Sequence, residues 1–120
     1  MNNKLTSEQF INTLYDTIKS RRGENSKLSY TAQLFEKGVQ GIAQKFGEES
    51  TEVIIAALKE TKVQVVSESA DLLFHLMVLW VERDITPDDV FKELEGRAGT
   101  SGLEEKNLRL TNKDKFTHGL

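Results

Sequence analysis

Residues 72–80 read LLFHLMVLW, a helical segment that would be apolar on every side. Such a segment has to be surrounded, and a chain of 120 residues has few elements with which to do it. Shared burial with a second copy of the chain is the natural solution, so the run predicts a homodimer with this helix in its core. From Leu72 to Val81 the stretch is ten residues long and is interrupted by His75, whereas a bilayer span takes about 20. The opening residues, MNNKLTSEQF, lack the apolar region of a secretory signal. A cytoplasmic protein with no membrane association is expected.

The rest of the chain reads as further helices. Eight glycines and one proline mark few turns. Thr6 with Gln9 has the form of a capping box, and Phe10, Ile11, Leu14, Tyr15 and Ile18 follow at helical spacing, predicting a helix over 7–22 that Gly23 ends. After the loop GENSKLS, Ser29 or Thr31 caps a short segment, TAQLFEK, before Gly38. Ile42, Phe46, Val53, Ile54, Ala57 and Leu58 form one stripe of a helix over 39–59. An unbroken helix from there to Arg83 would be too long for a small domain, which places a tight turn near residues 60–62. Thr86, Pro87, Asp88 and Asp89 are the start of a last helix ending near Arg97. The expected fold is all-α, a bundle of four to five helices over residues 1–98 completed by dimerisation. Residues 99–120 read as a tail, in which SGLEEKNLRL adds one helical turn and TNKDKFTHGL is disordered.

Composition removes several function classes. The absence of cysteine excludes disulfide scaffolds, thiolate zinc sites and cysteine nucleophiles. With 16 basic residues against 19 acidic ones, no global field favours nucleic acid. The charges are nevertheless unevenly placed. From Lys19 to Lys45 six bases face two acids, and from Phe46 to Asp71 six acids face two bases.

Glu49 and Glu52 lie i, i+3 on one helix face, and Glu68 and Asp71 repeat the spacing on the next helix. Antiparallel packing about a turn near Lys62 brings the two pairs to similar heights. Two carboxylates about 4 Å apart repel by about 4 kcal/mol at an effective dielectric of about 20, so four converging ones need a neutralising guest. An all-oxygen donor set matches Mg²⁺, with Mn²⁺ as a substitute. Salt bridging along helix surfaces is the plainer alternative.

E-x-x-E at 49–52, fifteen intervening residues and E-x-x-D at 68–71 resemble the metal motif of the all-α, MazG-like nucleotide pyrophosphohydrolases. Four flanking blocks, SYTAQLFEKG, IAQKFGEESTEV, SESADLLFHL and SGLEEK, are similar to the phosphoribosyl-ATP pyrophosphatase family of histidine biosynthesis, over about Phe10 to Arg109. The resemblance implies a dimeric helical bundle that hydrolyses the α–β bond of the triphosphate, releasing pyrophosphate and phosphoribosyl-AMP. It also implies that Glu49, Glu52, Glu68 and Asp71 are Mg²⁺ ligands. Glu48 is then placed to orient or deprotonate the attacking water or merely to pair with a cation, and Lys45 to meet a phosphate or pair with Glu49. Ser29, Thr31, Gln33 and Lys37 suit phosphate or ribose contacts, with Arg21 or Arg22 as further phosphate candidates. Tyr30, Leu34 and Phe35 read as packing residues, Met77 and Trp80 as core or dimer interface, and His75 as a core residue or a donor to the Asp71 carboxylate. Many members of the family are fused to a zinc-dependent cyclohydrolase, for which two histidines and no cysteines leave no place, so the chain resembles the stand-alone form.

Two rival functions keep most of these features. A MazG-like enzyme removing dUTP, dCTP or aberrant nucleotides would retain the same metal ligands. A non-enzymatic helical dimer would use its acids only to solvate helices.

Overall fold

The computed structural model describes residues 4–98 and 106–110, all helical or in short connections between helices. Helix α1 (Ser7–Ser20) starts at the expected box: the Thr6 hydroxyl accepts from the Gln9 amide, and the Gln9 side chain accepts from the Thr6 amide. It stops two residues before the predicted Arg22. The amides of Arg21 and Arg22 close tight turns onto the Ile18 and Lys19 carbonyls, and Gly23 then takes a positive φ of 86°. Ser29, rather than Thr31, caps α2 (Tyr30–Glu36), accepting from the Ala32 amide at 3.1 Å. Gly38, with φ 71°, turns the chain into α3 (Gly38–Lys59).

Only Glu60 and Thr61 separate α3 from α4 (Lys62–Glu82). The reversal needs neither glycine nor proline because Thr61 and Gln64 form a second capping box, satisfying amides that a new helix start leaves open. The far end of α4 is closed by backbone bonds from Asp84 to Val81 and from Ile85 to Trp80. Asp84 adopts the left-handed conformation, φ 56°, that this closure requires and that glycine usually supplies. The Tyr15 hydroxyl donates to the Ile85 carbonyl at 2.7 Å, fastening that corner to α1.

The described residues fall into two compact units divided after Pro87. In the first, α4 is the spine: α3 packs along it, and α1 and α2 pack against it as well. Ile18, Leu34, Ile42, Met77, Val78 and Val81 are fully buried, and Trp80 is buried with them. Each large side chain so enclosed contributes about 1.5–3 kcal/mol. Met77 and Trp80 therefore lie in the core of the single chain.

Toward the α3–α4 turn the expected stripe is not covered by the chain. Ile54 and Leu58 are 58% and 77% exposed, and Val63 and Val66 on α4 are similarly open. Ala57 is exposed as well, while Ala56, fully buried, takes the inward position.

The apolar run of ten residues sits within a helix of 21 that is long and apolar enough to cross a membrane by length and composition. That helix also carries Glu68 and Asp71, and an acid at a bilayer centre costs about 2.5–3.5 kcal/mol on insertion scales.

The second unit begins at Asp88 and holds nearly all of α5 (Pro87–Arg97), with Pro87 at its first position as expected. Lys92–Asp88 and Arg97–Glu93 pairs at 3.0 and 3.1 Å line its surface. Residues 106–110 are helical, in keeping with the extra turn read from SGLEEKNLRL. The expectations for residues 99–105 and for the 111–120 end lie outside the described residues.

Candidate active site

The two-residue reversal sets the register of α3 against α4. Glu49 lies about three turns before it, and Glu68 and Asp71 about two to three turns after it, so all three carboxylates meet at one level. One oxygen from each lies within 4.8 Å of the others. Glu49 and Glu68 are half-buried and Asp71 is exposed. Desolvation, followed by the charges of Asp71, Glu52, Glu49 and Glu60, raises the Glu68 carboxyl above the usual carboxylate range. Glu52 is exposed and stands beside the three rather than among them, although Glu68 feels its charge.

Lys45 reaches this cluster from the preceding turn of α3. Its ammonium lies 3.3 Å from Glu49 and 3.8 Å from Glu48, which is exposed. The hydrogen bond that the ammonium donates to Glu49, and then the electrostatic contribution of Tyr30, raise the lysine above its ordinary value. Among the described residues, one cation against three converging carboxylates leaves the group short of positive charge. Oxygen donors alone, set within a few ångströms, are the chemistry that hard divalent cations take.

The segment 29–38 presents fewer free polar groups than its composition suggested. The Ser29 hydroxyl is engaged in capping α2, and the Gln33 side-chain amide donates to the Ser26 carbonyl at 2.8 Å. Thr31 is half-buried on the first turn of α2. Lys37 is exposed at the C-cap of α2, with the root of its side chain lying against Gly41, where any Cβ would collide with it. A surface hollow of about 490 Å³ opens beside the Ser29 cap, lined by Arg21, Glu24, Asn25, Leu28 and Ser29.

The two arginines weighed as phosphate ligands are differently engaged. Arg21 pairs with Glu24 at 3.4 Å on the surface. Arg22 sits over the Phe35 ring, faces Glu82 at 3.6 Å and donates to the Val81 carbonyl, so it clasps the end of α1 to the end of α4.

Sequence reasoning offered His75 as a core residue or a donor to the Asp71 carboxylate, and its burial bears out the first. The ring is only 6% exposed, and its Nδ1 lies 2.7 Å from the backbone carbonyl of Asp71, not from the carboxylate. Nε2 meets the hydroxyl of Tyr30 at 3.1 Å. These two residues are 45 positions apart, a separation over which no local spacing rule operates.

Comparison with known proteins bears on the same segment. The sequence profile of the phosphoribosyl-ATP pyrophosphohydrolase family matches residues 11–98. A protein of Rhodospirillum rubrum named phosphoribosyl-ATP pyrophosphatase is 54% identical over 101 residues, covering 84% of this chain and 86% of its own. Proteins with the same name from Gluconobacter oxydans and Geobacter sulfurreducens are each 47% identical, covering 88% and 85% of this chain and 79% and 94% of their own.

Proposed function

The chain belongs to the phosphoribosyl-ATP pyrophosphohydrolase family, and on that membership we propose that it hydrolyses the α–β anhydride of phosphoribosyl-ATP to phosphoribosyl-AMP and pyrophosphate, a step of histidine biosynthesis. It is an enzyme, a hydrolase of a phosphoric anhydride. The convergence of Glu49, Glu68 and Asp71 across α3 and α4, inside the matched segment, supports this reading most directly.

Glu49, Glu68 and Asp71, with Glu52 beside them, would hold Mg²⁺, or Mn²⁺ in its place. An ion held there would supply positive charge to offset the triphosphate oxygens and the charge that develops on departing pyrophosphate. Glu48, exposed next to the cluster, accepts a proton from the attacking water. Lys45 exchanges its Glu49 partner for a substrate phosphate oxygen, a short movement for a flexible four-carbon stem. Thr31 and Lys37 contact the remaining phosphate or ribose groups, and Ser29 and Gln33 hold the backbone of that segment in place. The working form is a cytoplasmic homodimer, free of membrane and nucleic acid, in which a second copy covers Ile54, Leu58, Val63 and Val66.

Turnover of phosphoribosyl-ATP, dUTP and dCTP with and without Mg²⁺ tests the activity. Mg²⁺-dependent release of pyrophosphate, fastest from phosphoribosyl-ATP, is the expected result. Preference for dUTP or dCTP would reassign the substrate, and no turnover of any of the three would sink the enzymatic reading. Light scattering tests the assembly, with dimer expected for the wild type and monomer for Leu58→Glu.

A further inference from the structure

Among the described residues His75 is the one buried polar side chain, and the reaction outlined above leaves it unused. Both ring nitrogens are engaged, and their partners fix the direction of each bond. The Asp71 carbonyl can only accept, so Nδ1 carries a proton and donates to it at 2.7 Å. In the neutral ring Nε2 is therefore an acceptor, and the Tyr30 hydroxyl, 3.1 Å away, donates to it. The rings of Phe74 and Tyr30 stand edge-on to the imidazole at 5.2 and 6.1 Å and restrict its rotation. Tyr30 is the first residue of α2, and Asp71 is one of the converging acids of α4.

We propose that Tyr30 and His75 are positioning residues: a one-way hydrogen-bond chain from the Tyr30 hydroxyl through the imidazole to the Asp71 carbonyl that locks the first turn of α2 to the turn of α4 bearing the carboxylates. The lock holds Thr31 and Lys37 at a fixed distance from the acids, so that one substrate molecule spans both. Lys45 reaches the same cluster, its ammonium 3.3 Å from Glu49. The activity arm of this inference rests on the hydrolase reading, whereas the tautomer does not.

The test has two arms. In ¹⁵N NMR of histidine-labelled protein, at a pH where the ring is neutral, His75 is expected in the Nδ1–H form, the opposite of the form free imidazole side chains prefer. Its resonances are those that remain in His118→Gln, which removes the other histidine of the chain. Tyr30→Phe, which keeps the ring and deletes the donor, is expected to shift the Nε2 resonance. It should raise KM for phosphoribosyl-ATP by roughly three- to tenfold, the worth of one hydrogen bond, with a smaller change in kcat. The rise in thermal midpoint on adding Mg²⁺ alone should be unchanged in that variant. His75→Gln, whose amide can reach Tyr30, should stay nearer to wild-type KM than His75→Asn, whose amide reaches only Asp71. A wild-type Nε2–H tautomer would overturn the chain, and a wild-type KM in Tyr30→Phe would overturn its positioning role. Failure of wild-type turnover would instead strike the hydrolase reading and leave the NMR arm standing.

Discussion

The α3–α4 acids and the Ser29–Lys37 segment were both singled out by sequence, yet folding leaves them in opposite states. Glu49, Glu68 and Asp71 converge with, among the described residues, a single lysine to offset them. In the other segment, Ser29 caps a helix and Gln33 ties back to Ser26. Polar groups left short of partners, against the cost of crowding them, mark a place where a ligand completes the structure. Polar groups already satisfied mark a scaffold.

The largest effect should come from the crowded region. Glu68→Gln and Asp71→Asn are each expected to lower kcat/KM for phosphoribosyl-ATP by about a hundredfold or more, of the order seen when one charged stabilising group is removed from an active site. Circular dichroism should stay helical, because neither side chain caps a helix or fills the core. Wild-type rates at saturating Mg²⁺ in either variant would break the comparison outright.

Next in size is the response to the ion. Mg²⁺ at about a hundred times its dissociation constant should stabilise the fold by about 2.7 kcal/mol, read as a rise in thermal midpoint and reversed by a chelator. The same titration on Glu68→Gln should give a much smaller rise. An equal rise would place the ion elsewhere.

The satisfied region should answer in stability before it answers in chemistry. Ser29→Ala removes the cap of α2 and is expected to cost about 1 kcal/mol, with kcat nearly unchanged. A large fall in kcat with unchanged stability would make Ser29 a ligand-contacting group and erase the contrast. Lys37→Ala is the smallest change, within about 0.5 kcal/mol of wild-type stability as expected for an exposed side chain, with a modest rise in KM. No change in KM would leave Lys37 as surface alone.

Much of this was legible in the chain. The Thr6 box, the Pro87 start and the paired acids follow from rules that act over three or four residues, and the helices appear where those rules place them. The α3–α4 reversal was placed by length alone, although Thr61 and Gln64 carried the same capping signal as Thr6 and Gln9. The stop at Asp84 had no such signal, since an aspartate in the left-handed region looks like any other acid until the chain is folded. The apolar positions Ile54 and Leu58 misled for a different reason. Periodicity says that a face is apolar and is silent on which neighbour covers it.

Sequence by itself determined that this chain is helical, where most of its helices begin, and which four acids repeat at helical spacing, because each is settled by near neighbours along the backbone. Tertiary structure decided that Glu49 rather than Glu52 joins Glu68 and Asp71 at close range, since that depends on the register set by a two-residue turn. It also decided that Arg22 clasps two helices and that Tyr30 meets His75 across 45 residues. Those contacts arise only when the burial of Ile18, Leu34 and Met77 draws α1 and α2 onto α4, an event that no local rule encodes.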